Sequence, residues 1–253
     1  MSAPVFLADP AALSGAVDPG DTVVLDGPEG RHAAVVRRLR AGEDLVLTDG
    51  RGTAVDAVVD SVVDESGRSG LVCRVHRRRF VDPPSPRLVV VQALPKGDRA
   101  ELAIQMLTEV GVDMVVPWAA SRCVVQWRGE RAARSLAKWR SWAAEAGKQS
   151  RRVWLPEVRD VADTAAVAAL LGSCALPVVL HENADRALPE LAVPAEGDIT
   201  VVVGPEGGIT DDELAAFRDA GATAVRMGPS VLRTSTAGVA AGAALLSRTA
   251  RWS

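Results

Sequence analysis

The stretch Val201–Leu214, "VVVGPEGGITDDEL", decides how the C-terminal half of this chain is read. Three valines run into a loop holding Gly204, Gly207 and Gly208, and Thr210 then stands three residues ahead of Glu213. Thr at the N-cap with Glu at the third helical position is a capping box, each side chain satisfying a backbone N–H at the helix start. The stretch therefore reads strand, glycine turn, helix. Glycines in such a turn allow left-handed backbone or the close approach of a ligand. The layout is that of a phosphate cradle, yet the residues fit neither GxGxxG nor GxxxxGK[ST]. Glu206, Asp211 and Asp212 make the mouth acidic, and like charge beside a phosphate costs about 1 kcal/mol or more even near a surface. A ligand with hydroxyls, an adenine edge and a positive charge suits the loop better, and S-adenosylmethionine has all three. A tight turn without a ligand is the other reading of this stretch alone.

A second loop weighs on that choice. "RMGPSVLRTSTAG", Arg226–Gly238, again leaves a strand, crosses Gly228 and Pro229, and enters a helix near Thr234 to Thr236 with Arg233 at its start. Two such loops from neighbouring strand ends form one pocket, at the usual position for a site in an open α/β sheet. The final helix carries Gly238, Ala240, Ala241, Gly242, Ala243 and Ala244. This smooth face suits core packing and also the close approach of another chain.

Outward from these loops the chain shows two grammars. Residues 1–80 are β-rich: "TVVLD" (22–26), "DLVLTDG" (44–50), "TAVDAVVDSVV" (53–63) and "GLVCRVHRRR" (70–79) are short β-branched runs split by Gly and Asp turns. They predict a small barrel or sandwich, with a helical turn or two at "RHAAVVRRLR". Residues 81–86, "VDPPSP", read as an extended linker. From residue 87 to 253 strands and helices alternate, which predicts an α/β layer with a mostly parallel sheet. The strands fall at "RLVVVQAL", "MVVPW", "LPVVLHE", "DITVVVG" and "AVRMG". The helices fall at 98–111, closed by Gly111, at "ERAARSLAKWRSWAAEAGKQS" with Leu136, Trp139 and Ala143 facing the core, at "DDELAAFRDAG", and at the C-terminal end.

The totals exclude several classes. The chain is 48% hydrophobic and 24% charged, within the range of water-soluble globular domains, and no apolar run reaches the roughly 18 residues of a membrane span. The N-terminus lacks the pattern of a signal peptide, which predicts a cytoplasmic protein. Cys73, Cys123 and Cys174, like His32, His76 and His181, are scattered, which predicts buried thiols and no metal site. The net charge of −3 does not announce a nucleic-acid binder. Arginines nevertheless cluster at Arg37, Arg38 and Arg40, at Arg74 and Arg77 to Arg79, and from Arg122 to Arg152, either as solvated faces or as a polyanion-binding surface.

Taken together, the paired loops "GPEGGITDDE" and "MGPSVLRTSTA" resemble the C-terminal motifs of the SPOUT methyltransferases, specifically the RsmE family. The resemblance extends to "RHAAVVRRLRAGEDLVLTDGRG", "LPKGDRAELAIQMLTEVGVDMVVPWAASRC" and "KWRSWAAEAGKQSRRVWLPEV", in order and over nearly the whole length. It implies a PUA-like β-barrel RNA-binding domain, then an α/β domain with a deep C-terminal trefoil knot, and a homodimer. It implies S-adenosyl-L-methionine as cofactor and methylation of N3 of a uridine in 16S rRNA of the small ribosomal subunit. By motif match, cofactor contacts fall on Leu180, His181 and Glu182, on Gly204, Pro205, Glu206, Gly207 and Gly208, and on Met227, Gly228, Val231, Leu232 and Arg233. Two positions depart from the family pattern: Ser235 stands where LRTETA has glutamate, and Met106 lies where a lysine is usual. A non-catalytic RNA-binding or ribosome-assembly factor is the alternative that these departures raise.

Methyl transfer asks a protein mainly for alignment, but uracil N3 carries a proton at neutral pH, so a base or a cation that stabilises the anion must help. Arg233 is the first candidate, with Arg122 reaching across a dimer as the second, since guanidinium can bond the two carbonyl oxygens flanking the imide nitrogen. Glu109, Glu145 and His181 are weaker candidates for the base. Arg37, Arg38, Arg40, Arg77, Arg78, Arg79, Arg151 and Arg152 are the candidates for gripping RNA; Trp118 and Trp127 read first as core residues and only second as platforms for stacking on a base.

Overall fold

Alternation along the first strands dictates a sheet with one covered face. The protein, here a computed structural model describing residues 3–65, 68–97 and 99–252, divides into two compact units. One holds the chain up to Pro83 together with Gly147–Leu155; the other holds Pro84–Ala146 and the chain from Pro156.

In the first unit the elements are β1 (Val5–Leu7), α1 (Pro10–Ser14), β2 (Thr22–Leu25), α2 (Gly27–Arg31) with one π turn at His32–Val36, β3 (Asp44–Thr48), β4 (Thr53–Glu65) and β5 (Arg68–Phe80). The sheet order is β1-β3-β4-β5-β2; β1 runs parallel to β3 and the other pairs are antiparallel. Leu71, Cys73 and Val75 point inward from β5 while Arg74 and His76 point out, the period of two that a half-covered strand requires. Burial pushes the Cys73 thiol up to about 11, so it packs as a small apolar group.

Gly147–Leu155, which the sequence reading placed in the second domain, joins the first unit for identifiable reasons. The Lys148 ammonium meets Glu29 at 2.6 Å with only 6% of its side chain exposed. The Leu155 N–H donates to the Gly50 carbonyl, and the Gly52 N–H to that of Val153. The Trp154 indole donates to the Val81 carbonyl and stands edge-on to Phe80.

The second unit contains β6 (Arg87–Ala93), α3 (Arg99–Val110), β7 (Met114–Trp118), α4 (Gly129–Gln149, as far as Ala146), β8 (Glu157–Val158), α5 (Thr164–Ser173), β9 (Leu176–Leu180), β10 (Asp198–Val203), α6 (Asp211–Asp219), β11 (Thr223–Val225) and α7 (Thr234–Leu246). Asp98, where the sequence reading began its helix, lies outside the described residues. The sheet order is β11-β9-β10-β6-β7-β8 and every pairing is parallel. Leu88 to Val91 of β6 are fully buried, as expected of a central strand covered on both faces. The small residues of α7 serve this core. A Cβ added to Gly238 would lie 3.1 Å from Leu107 and 3.2 Å from Val203, and one at Gly242 3.1 Å from Leu88. Trp118 is fully buried, edge-on to Phe217 at 5.2 Å, so of the two readings of this residue the core one holds and the stacking one does not. Trp127 leans on Trp139 in the same way at 5.1 Å.

The C-terminal end is stapled to this core by charge. Arg251 donates to both carboxylate oxygens of Asp113, at 2.6 and 3.2 Å, and to the carbonyls of Pro86 and Gly111. Asp113 also accepts from the Leu88 N–H, and only 5% of its side chain is exposed. Removing one partner of a buried pair strands the other charge, a loss of about 3–5 kcal/mol. Arg251→Ala is therefore expected to lower unfolding free energy by that amount, read from the midpoint of a urea titration.

Candidate functional site

Strands β9, β10 and β11 end side by side, and the three loops that leave them close around a cavity of about 330 Å³. Leu180, His181 and Glu182 line it from the first loop, Gly204, Pro205, Glu206 and Gly208 from the second, and Met227, Gly228, Val231, Leu232 and Arg233 from the third. Val203, Ile209, Val225 and Ala237 add apolar wall, and Ser230 and Thr234 add hydroxyls. Of the positions expected to contact a cofactor, Gly207 does not line this cavity.

Each glycine of "GPEGG" has its own reason. A Cβ at Gly204 would meet Ile209 Cγ1 at 2.7 Å, so the loop folds back over this residue. Gly208 has φ +76, a left-handed backbone that favours glycine. Gly207 faces away from the cavity: a Cβ there would lie 2.9 Å from Arg122 Cβ and 3.1 Å from the Arg122 carbonyl oxygen. The close approach that Gly207 permits is thus to another part of the chain.

Arg122 lies on that outer side. Its guanidinium donates to the Gly207 carbonyl at 3.2 Å, and it is not among the cavity's lining residues. Beside it, the Ser121 N–H donates at 2.7 Å to Glu213, whose other oxygen accepts from the Thr210 N–H and hydroxyl. The capping box expected from sequence is present, with this additional link to the end of β7. Burial acts to raise the Glu213 carboxyl, but hydrogen bonds from Ser121 and Thr210 outweigh it and hold the group below its ordinary value. The other loops are stitched likewise. The Thr234 hydroxyl donates to the Gly204 carbonyl at 3.2 Å, and the Gln92 amide to the Thr234 carbonyl. Arg226 caps the turn after β9 by donating to the carbonyls of Ala184 and Asp185.

The charged lining comprises Arg99, Glu182, Glu206, Arg233 and, when protonated, His181. Arg233 is exposed and N-caps α7, with Thr236 and Ala237 N–H groups on its carbonyl. His181 Nδ1 accepts from the Asn183 N–H at 3.3 Å. Glu109 and Glu145 are exposed helix carboxylates that do not line the cavity. Ser235 is 4% exposed and also outside the lining. Arg99 is the residue that sequence reading missed. It is the first residue of α3, within the "KGDR" segment, and reads in the sequence only as part of a helix and of a motif.

The first unit carries the other expected residues. Arg37, Arg38, Arg40, Arg77, Arg78 and Arg151 are exposed. Arg38 and Arg151 have φ near +55 and +58. Arg79 is engaged by Asp56 at 3.7 Å, and Arg152 donates to the Trp154 carbonyl.

A family model described as an RNA methyltransferase domain matches residues 83–246, and one described as an RNA methyltransferase PUA domain matches 25–64. Over 239 residues the chain is 48% identical to ribosomal RNA small subunit methyltransferase E of Mycobacterium tuberculosis, covering 93% of this chain and 90% of that one. The Bacillus subtilis protein of the same name is 27% identical, with 87% and 88% covered. A crystal structure of ribosomal RNA small subunit methyltransferase E from Neisseria gonorrhoeae bound to S-adenosyl methionine superposes with a TM-score of 0.82 at 30% identity, covering 97% and 98%. A Legionella pneumophila protein solved with bound SAM gives 0.85 at 26% identity, covering 98% and 99%.

The Glu213 link predicts an acid-side signature. Because its folded pKa is depressed, the stability it contributes is whole above the ordinary value of 4.5 and is lost as pH falls through the lower folded value. Glu213→Gln should cost about 1–3 kcal/mol at neutral pH. Urea titrations should show that deficit shrinking as pH drops below 4.5.

Proposed function

The chain belongs to the ribosomal RNA small subunit methyltransferase E family, and from that premise we propose that it methylates N3 of a uridine in 16S rRNA with S-adenosyl-L-methionine as methyl donor. The observation that carries this reading is the convergence of three adjacent strand ends on one glycine-lined cavity. Its apolar wall, exposed loop backbone, hydroxyls and paired charges fit a ligand with an adenine face, a ribose and a zwitterionic tail. Leu180, His181 and Glu182, the 204–208 loop and the Met227–Arg233 loop would hold the cofactor, and Arg122 and Glu213 would brace the glycine loop from its far side. When bound, the cofactor supplies an electrophilic methyl group. The chain's own part is to align the uracil and stabilise the charge left when N3 loses its proton. Arg233, on the cavity wall, is one cation proposed to contribute to that stabilisation. Ser235 lies outside the cavity, so the departure there takes no carboxylate from it, which favours the catalytic reading over a non-catalytic assembly factor.

The finer architecture belongs to the same proposal. Residues 1–80 act as the PUA-like RNA-binding domain, joined through 81–86 to a methyltransferase domain over 87–253, with Gly147–Leu155 packed on the first unit. The C-terminal segment is a trefoil knot: after β11, at one edge of the sheet, the chain returns past the Gly204 loop so that α7 packs on β6, β10 and α3. The protein works as a cytoplasmic homodimer on the small ribosomal subunit. The exposed arginines 37, 38, 40, 77, 78 and 151 grip the RNA backbone, aided by Arg79, which Asp56 engages, and by Arg152, which donates to the Trp154 carbonyl.

Isothermal calorimetry with S-adenosylmethionine, followed by mass spectrometry of 16S rRNA treated as naked RNA and as assembled subunit, tests the reading; no binding heat and no methylated uridine would sink it. Gly207→Val should weaken cofactor affinity at least about tenfold by forcing Arg122 off the loop, and unchanged affinity would remove the brace. Arg37→Glu with Arg38→Glu should weaken RNA binding and flatten the log–log salt slope by about two. A slope that does not move would place the RNA face elsewhere.

A further inference from the structure

Glu206 and Arg99 form a paired charge at the rim of the cavity, and the pair assigns Arg99 a task beyond shaping the loop. Glu206 Oε1 accepts from the Lys96 N–H at 3.3 Å and lies 3.8 Å from Arg99 Nη1. Both side chains remain partly exposed, 46% for Arg99 and 30% for Glu206, and both line the cavity. At that distance the two form an ion pair without a hydrogen bond, and the donors of the guanidinium have no hydrogen-bond partner among the described residues. Arg99 has a carboxylate beside it that biases where its guanidinium sits, while Arg233, across the third loop, has no side-chain partner among the described residues. A preorganised donor stabilises developing charge better than one that must first be ordered.

We propose that Arg99 is a catalytic residue for the target base: its guanidinium donates to one uracil carbonyl oxygen from the side away from N3, leaving the N3 edge open to the methyl donor, and stabilises the anion formed at N3. The proposal rests on the methyltransferase reading above. The N3–H bond breaks, the proton passes to solvent water, and the electron pair stays on the ring, shared among N3 and the two carbonyl oxygens. A planar guanidinium can aim two N–H donors at one such oxygen in a fixed fork, which a lysine ammonium cannot do. Glu206 is then a positioning residue that holds Arg99 at the rim, and its negative charge is largely committed to that task.

The test compares Arg99→Ala and Arg99→Lys with the unaltered full-length protein, each first checked for an unchanged melting temperature. Three readouts are taken: S-adenosylmethionine affinity by calorimetry, the single-turnover methylation rate as a function of pH, and that rate with added free guanidinium. Arg99→Ala should lower the rate by about a hundredfold or more and leave cofactor affinity within about threefold, less than the tenfold that 1.4 kcal/mol represents. Its pH–rate limb should move to higher pH, because the uracil keeps its proton longer without the cation. Free guanidinium should restore part of the rate, and Arg99→Lys should fall between the two. Loss of cofactor affinity in step with rate would instead make Arg99 a holder of the cofactor's carboxylate. A lower rate with an unmoved limb and no rescue would make it structural, and an undiminished rate would end the proposal. If the unaltered protein transfers no methyl group to RNA, the methyltransferase reading itself fails, and this inference fails with it.

Discussion

The geometry of the cavity depends on the carboxylate of Glu213. It is 3% exposed, and a buried carboxylate is tolerated only when its oxygens are satisfied. The partners that satisfy it come from two distant places: Thr210 at the start of its own helix, and Ser121 just past the end of β7, 92 residues earlier. The Thr164 hydroxyl, at the start of α5, lies 3.4 Å from the oxygen that Ser121 engages. One group therefore fixes the start of α6 and holds it to the 119–123 segment, on which Arg122 rests against Gly207. The glycine loop between β10 and α6 has little freedom left. A loop that presents backbone to a ligand gains most from such restraint, because ordering at the moment of binding would subtract from affinity.

How much of this was legible follows from the range of each interaction. The capping box joins residues three apart, so Thr210 and Glu213 declared it, and α6 begins where they place it. The parallel sheet was legible because β6 and β10 are continuous apolar runs. The Arg122–Gly207 packing joins residues 85 apart, and nothing local distinguishes a glycine that admits a ligand from one that admits another turn of the chain. Helix α5, "TAAVAALLGS", escaped notice because it is apolar around its circumference and shows no stripe; the Asp163 N-cap, bonded to the Ala166 N–H, was its available signal. Strands of two or three residues, such as β1 and β8, are too short to show alternation.

Electrostatic reasoning from the sequence held its direction but changed its meaning. Glu206 reads in the sequence as a free negative charge that repels phosphate and attracts a cation. Folded, it has the Lys96 N–H and Arg99 beside it, so the rim presents a dipole whose positive end belongs to a residue more than 100 positions away. Asp211 and Asp212 occupy the first turn of α6, where negative charge complements the helix dipole. Their presence is explained by the helix and requires no ligand.

The same distinction separates Ser235 from the cavity. A motif comparison sees only that one residue replaces another, and a lost glutamate beside a cofactor site suggests lost chemistry. In the fold, α7 begins at Thr234, whose hydroxyl is tied to the Gly204 carbonyl and whose own carbonyl accepts from Gln92. That attachment sets the helical phase: Arg233, Thr234 and Ala237 face the cavity, and Ser235 is buried outside its lining. A small hydroxyl suits a buried position on a helix pressed against β6 and β10, where a glutamate would need its own partners. The charges available to the reaction are therefore those the helical phase leaves on the cavity side, and among the described residues the cations there are Arg99 and Arg233, joined by His181 when it is protonated.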